Sequence, residues 1–155
     1  MEENSSASDR TFLEELRRHR AELRESMGAL EDALAAPATS EHSRWTQRVE
    51  AALVEVAGDF RTHIHMTEGP SGLYLELLKT SPRLAGAVDG LTRDHLLIGG
   101  QIDTLLARVA GPDVIADVDD VRGSGTALLG RLVRHRQRGA DLVFEAYEFD
   151  IGGET

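Results

Sequence analysis

The sequence predicts an all-α protein, an antiparallel (up-down-up-down) four-helix bundle, and two observations carry this prediction. Four stretches place apolar residues at alternating steps of three and four, which keeps those side chains on one face of an α-helix. The composition, 41% hydrophobic but only 5% aromatic, is typical of helical proteins. We expect one domain over 155 residues: a disordered lead at 1–8, the bundle at 9–150 and a tail at 151–155.

The first two predicted helices are ended by proline or glycine. Helix A, over 9–36, stops at Pro37, because proline cannot continue a helix. Helix B starts near residue 40 or 41 and runs to about 67, where Gly69 and Pro70 break or kink it. A further turn or two of helix follows at 73–78, before Pro82.

The third and fourth helices follow the same pattern. Helix C, over 82–109, alternates strictly between steps of four and three apolar residues, and Pro82 suits its first turn. Helix D has a ragged start near 114–121 and an apolar face that runs to Phe149. Mostly short connections between long amphipathic helices predict antiparallel neighbours.

Composition also excludes several kinds of partner and cofactor. The net charge of -10 argues against nucleic-acid and anionic-membrane partners, which need excess positive charge. The absence of cysteine excludes disulfides, thiolate zinc sites and iron–sulfur clusters. No apolar run approaches the roughly 20 residues of a membrane-spanning helix, and no signal peptide is evident. We therefore expect a soluble cytoplasmic protein.

Each predicted helix carries one histidine on its apolar face: His19, His63, His95 and His135. A single histidine in such a place is most often a core residue with satisfied hydrogen bonds. Four histidines at compatible heights favour a shared metal or other cofactor, because buried imidazoles need partners for their lone pairs. His65 lies off the apolar face and is expected at the surface.

The segments around these histidines resemble the hemerythrin-like (HHE cation-binding) family. They read LRRHRAEL, DFRTHIHMTE, LTRDHLLI and LVRHRQRGADL. The family places a histidine on the first and third helices and His-x3-Glu on the second and fourth. The resemblance implies a non-haem iron site of one or two ions that binds dioxygen, nitric oxide or peroxide in the bundle core. Histidine-rich ligation favours iron or zinc over magnesium or calcium, so zinc is the alternative metal.

The chain departs from the family at both motif carboxylates, which are replaced by Thr67 and Gly139. Glu68 is our first choice for the surviving carboxylate ligand. Glu22 comes next and Asp141 last, because Asp141 points about 240° round the helix from His135.

Small residues near the histidines suggest room for an external ligand. Thr67 and Gly139 open on one side of the histidine layer and Gly99 on the other. We hypothesise that a small molecule or an exogenous anion fills the space of the missing carboxylates; closer helix packing is the alternative.

Two other functions remain open from the sequence. One is an iron-dependent oxidase, peroxidase or oxygenase that uses the space at Thr67 and Gly139 as its substrate pocket. The other is a degenerate bundle, zinc-filled or metal-free, with a binding or interaction role. A basic run on helix D is interpreted as a solvated face with ion pairs rather than as a phosphate site; it consists of Arg131, Arg134, Arg136 and Arg138.

Overall fold

The computed structural model describes residues 2–38, 42–111 and 116–152, and it confirms the all-α four-helix bundle. The helices are α1 (Glu2–Ala35), α2 (His42–Glu68), α3 (Leu73–Thr80), α4 (Ala85–Val109) and α5 (Val118–Gly152). A 3₁₀ turn, Pro82–Leu84, precedes α4.

The start of the first helix differs from the prediction, because α1 begins at Glu2 rather than at residue 9. Helix α5 begins at Val118, within the ragged start predicted at 114–121; residues 114 and 115 of that range lie outside the described part of the chain. The division into a lead, a bundle and a tail is not tested by this and stays a prediction.

The four long helices form a closed ring of antiparallel neighbours. Helix α1 packs against α2 and α5, and α4 packs against the same two helices from the other side. The short α3 packs against α2 and α5, so it covers one end of the bundle interior. Within the described residues, no helix has both the length and the apolarity that crossing a membrane requires.

The buried apolar residues form two clusters with a polar layer between them. On α4, Leu91 belongs to one cluster and Ile98 to the other, and the buried His95 lies between them in the sequence. On α5, Leu132 belongs to the first cluster and Leu142 to the second, and the buried His135 lies between them in the sequence. Apolar packing above and below therefore fixes the height of the histidines in the bundle.

Glycine makes the turn that brings α3 back over the bundle. A Cβ atom on Gly72 would lie 2.5 Å from the carbonyl oxygen of Thr67, which is a backbone atom that cannot move aside easily. Gly72 donates its N–H to the carbonyl of Gly69 at 2.8 Å and closes the turn. The predicted break after α2 is therefore a tight turn, and it places Tyr74 against the polar layer.

Candidate metal centre

Three of the four predicted histidines converge in the bundle interior. His63 of α2, His95 of α4 and His135 of α5 offer ligand atoms that all lie within 4.8 Å of one another. The Nε2 atom of His135 lies 3.1 Å from Nε2 of His63 and 3.0 Å from Nε2 of His95. His95 and His135 are buried and His63 is half-buried. This is a buried three-histidine group that could hold a metal ion.

Two carboxylates hold the outer nitrogens of these rings. His95 donates from Nδ1 to Oε2 of Glu68 at 2.5 Å, and His135 donates from Nδ1 to Oδ2 of Asp94 at 3.2 Å. Arg138 pairs with the same Asp94 oxygen. Because a carboxylate only accepts, the ring protons reside on Nδ1, and the Nε2 lone pairs face the centre. Metal-binding histidines have this arrangement, with the outer N–H given to a carboxylate.

Burial keeps these imidazoles neutral. Burial, together with smaller contributions from the neighbouring His95 and His135, lowers the pKa of His63 from 6.5 to about 3. Burial is also the main cause that lowers the pKa of His95, although its hydrogen bond to Glu68 opposes it. The pKa of His135 is lowered by burial too, against the bond to Asp94.

Neutral rings leave the centre of the group rich in lone pairs. With the protons of His95 and His135 on Nδ1, their Nε2 atoms meet at 3.0 Å with no hydrogen between them. Two lone pairs at this distance repel each other, and a shared cation would remove the repulsion. The donor set therefore fits a metal that prefers imidazole ligands.

Two aromatic rings enclose the group. Phe60 lies one turn before His63, and its ring centroid is 5.7 Å from those of His63 and His95 and 6.2 Å from that of His135. Tyr74 stacks on His95 at 5.9 Å with the planes 10° apart. Burial raises the pKa of Tyr74 to about 12, although a hydrogen bond with Thr67 lowers it. These rings keep water away from two sides of the histidines.

A small cavity opens on the remaining side. It has a volume of about 40 Å³, and Thr67, Gly139, His63 and His135 are among its lining residues. A Cβ atom added at Gly139 would meet nothing within 4 Å. Since a water molecule needs roughly 10–15 Å³ on this measure, the cavity holds about three water-sized groups. The two positions predicted to leave room therefore line one cavity, and Gly99 is not among its lining residues.

The structure does not bring the other predicted ligands into the group. His19 is half-buried, and its Nδ1 lies 3.1 Å from Oε2 of Glu22, one turn further along α1. Asp141 is exposed and accepts a hydrogen bond from Gln137 at 3.0 Å. Metal ligation by His19, Glu22 or Asp141 stays a prediction.

Glu68 lies beside the histidine group. It contacts the outer nitrogen of His95, so it orients the ring, and direct ligation by Glu68 stays a prediction. Sequence reasoning missed Asp94, which does the same for His135. The apolar pattern gave no signal for it, because Asp94 reaches His135 and Arg138 only through the packing of α4 against α5. His65 is exposed, as predicted.

Fold and site together define the class of this protein: a four-helix bundle with a buried three-histidine group able to hold a metal ion. No protein-family model, no curated protein and no solved structure matches the chain. Membership of the hemerythrin-like family therefore rests on the motif resemblance and is a proposal.

Proposed function

We propose that the protein is a hemerythrin-like non-haem iron protein that binds dioxygen, nitric oxide or peroxide in the bundle core. His63, His95 and His135 hold the ion in this proposal, and the small ligand binds from the cavity side. The observation that supports it most is the convergence of three Nε2 atoms, two of them on rings held by carboxylates.

The donor set favours iron or zinc over magnesium or calcium, which prefer oxygen ligands. The Nε2 atom of His135 lies 3.0 Å from that of His95 and 3.1 Å from that of His63, which is close enough for the three rings to hold one ion. Iron would accept further ligands beside three histidines, so it would keep positions free for a small molecule.

The surrounding residues have separate tasks in this proposal. An iron ion would supply a redox-active centre with open coordination positions. Glu68 and Asp94 keep His95 and His135 in the tautomer that turns Nε2 inward. Phe60 packs against the histidine rings and excludes water, while the cavity beside Gly139 admits the ligand.

Two observations favour other functions. The cavity beside His63 and His135 would serve an iron-dependent oxidase, peroxidase or oxygenase as a substrate pocket, and this alternative predicts turnover with an oxidised product. A three-histidine donor set also suits zinc, so a zinc-filled bundle with a binding or interaction role is the second alternative.

Metal analysis with absorption spectroscopy tests the proposal. The protein as purified, and again after anaerobic loading with ferrous iron, is exposed to nitric oxide and to dioxygen. We expect bound iron and a spectrum that changes with each gas. His63→Ala and His135→Ala should lose the iron, and His65→Ala, an exposed histidine on α2, should keep it. His19→Ala tests the predicted fourth ligand.

Three outcomes separate the functions. Iron retained equally by His63→Ala and His135→Ala contradicts the site. A protein that stays colourless after iron loading but keeps zinc supports the zinc alternative. Repeated turnover with an oxidised product supports the enzyme.

A further inference from the structure

Positive charge gathers at the cavity beside the histidines. Arg20 of α1 and Arg136 of α5 both line it, and both are half-buried. Arg24, one turn after Arg20, is close enough to act on Arg136 electrostatically. Burial lowers the pKa of Arg136, and the charges of Arg20 and Arg24 lower it further.

Among the side chains that the structure describes, in residues 7–38, 43–111 and 116–147, these three arginines form no hydrogen bond and no ion pair. The two carboxylates at the histidines are already engaged, Glu68 with His95 and Asp94 with Arg138 and His135. Arg24 is exposed, but Arg20 and Arg136 are half-buried, and partly buried guanidinium groups that repel each other are costly. A chain with 27 acidic residues could have paired them. An anion from outside the chain would remove this cost.

The rest of the cavity wall indicates which anion fits. Part of the cavity wall is apolar and carries no charge. It consists of Leu16, Leu23, Leu73 and Val143. Its volume of about 40 Å³ leaves room for only a few non-hydrogen atoms. A carboxylate is planar and accepts two parallel hydrogen bonds from a guanidinium, and a short aliphatic chain suits the apolar wall.

We propose that this cavity binds a small aliphatic monocarboxylate, of the size of acetate or propionate, with its carboxylate at Arg20 and Arg136 and its alkyl group among the leucines. The arginine contacts do not need a metal. One part of the proposal rests on the proposed function: if His63 and His135 hold a metal, a carboxylate oxygen could also approach that metal.

Thermal unfolding with calorimetric titration tests this pocket, before and after removal of metal by a chelator. Sodium propionate and acetate are compared with chloride, sulfate and phosphate at equal ionic strength. We expect the carboxylates to raise the melting temperature with concentration and the inorganic anions to leave it unchanged. Arg136→Gln should weaken propionate binding by about 10- to 100-fold, the usual effect of losing a charged hydrogen-bond partner. Arg93→Gln, an exposed arginine paired with Asp89, is the control.

A second pair of variants keeps the arginines. Gly139→Glu supplies a tethered carboxylate to the cavity, and Gly139→Gln supplies the same volume without charge. Both should abolish the response to propionate, and Gly139→Glu should melt at a higher temperature than Gly139→Gln. The proposal is overturned by equal melting of these two variants, by an unchanged response of Arg136→Gln, or by binding of sulfate or phosphate in place of propionate. If the iron proposal is wrong, the metal-free protein should still bind propionate. If this proposal is wrong, propionate binding is absent whether or not the protein binds iron.

Discussion

Mild acid should destabilise the metal-free protein because of His63. Its pKa falls from 6.5 to about 3 on folding, so between these values the unfolded chain binds a proton that the folded chain rejects. The stability from the neutral ring is therefore complete above the unfolded value and is lost as the pH falls through 6.5 towards 3. From these two pKa values, His63 alone removes about 2 kcal/mol between pH 8 and pH 5.

Urea unfolding in the presence of a chelator measures this loss. The pKa values of His95 and His135 are lowered as well, so the whole protein should lose more than the share of His63. In His63→Gln the loss from pH 8 to pH 5 should shrink by about 2 kcal/mol. His65→Gln, an exposed position on the same helix, should behave like the wild type. An identical pH dependence for His63→Gln and the wild type would refute the reasoning.

Two further predictions concern positioning and the turn after α2. Asp94→Asn should weaken metal binding by about 10- to 100-fold in a chelator competition, because His135 loses its outer carboxylate. The control Asp89→Asn, at an exposed position, should leave the metal affinity unchanged. Equal affinities of the two variants would exclude the positioning role of Asp94. Gly72→Ala should cost about 1–3 kcal/mol in urea unfolding, since its Cβ meets a backbone oxygen. Gly100→Ala, whose Cβ meets nothing within 4 Å in α4, should stabilise by about 0.5–1 kcal/mol, and a loss there would contradict the packing.

The fold could be predicted because apolar periodicity directly encodes which face of each helix is buried. On the 3₁₀ turn and α4, every predicted core position from Leu84 to Val109 is buried in the structure, including His95. The start of α1 at Glu2 was not predicted, because the first residues are polar and carry no periodic signal. An apolar pattern indicates only the helical turns that pack against the core, so it cannot show that a helix continues beyond the core.

The site was predictable as far as one helix face determines it. The apolar faces brought His63, His95 and His135 together. The apolar face did not determine the contacts of His19, because its ring forms a local hydrogen bond with Glu22, one turn further along the same helix. The apolar pattern therefore does not determine which neighbour such a side chain contacts.

Contacts between helices could not be read from one helix at a time. Asp94 precedes His95 and lies off the apolar face, and it reaches His135 only because α4 packs against α5. Arg136 was interpreted as part of a solvated basic face, but the packing of α1 against α5 makes it line the cavity with Arg20. Side chains between the apolar and polar faces depend on the neighbouring helix, which the sequence pattern does not specify.

Anomalous scattering at the iron edge, from crystals of the iron-loaded protein, tests the central claim most directly. The account predicts a peak at about 2.0–2.2 Å from the Nε2 atoms of His63, His95 and His135, with the cavity beside Gly139 on its open side. A peak at surface carboxylates alone, or none between these three rings, would contradict it.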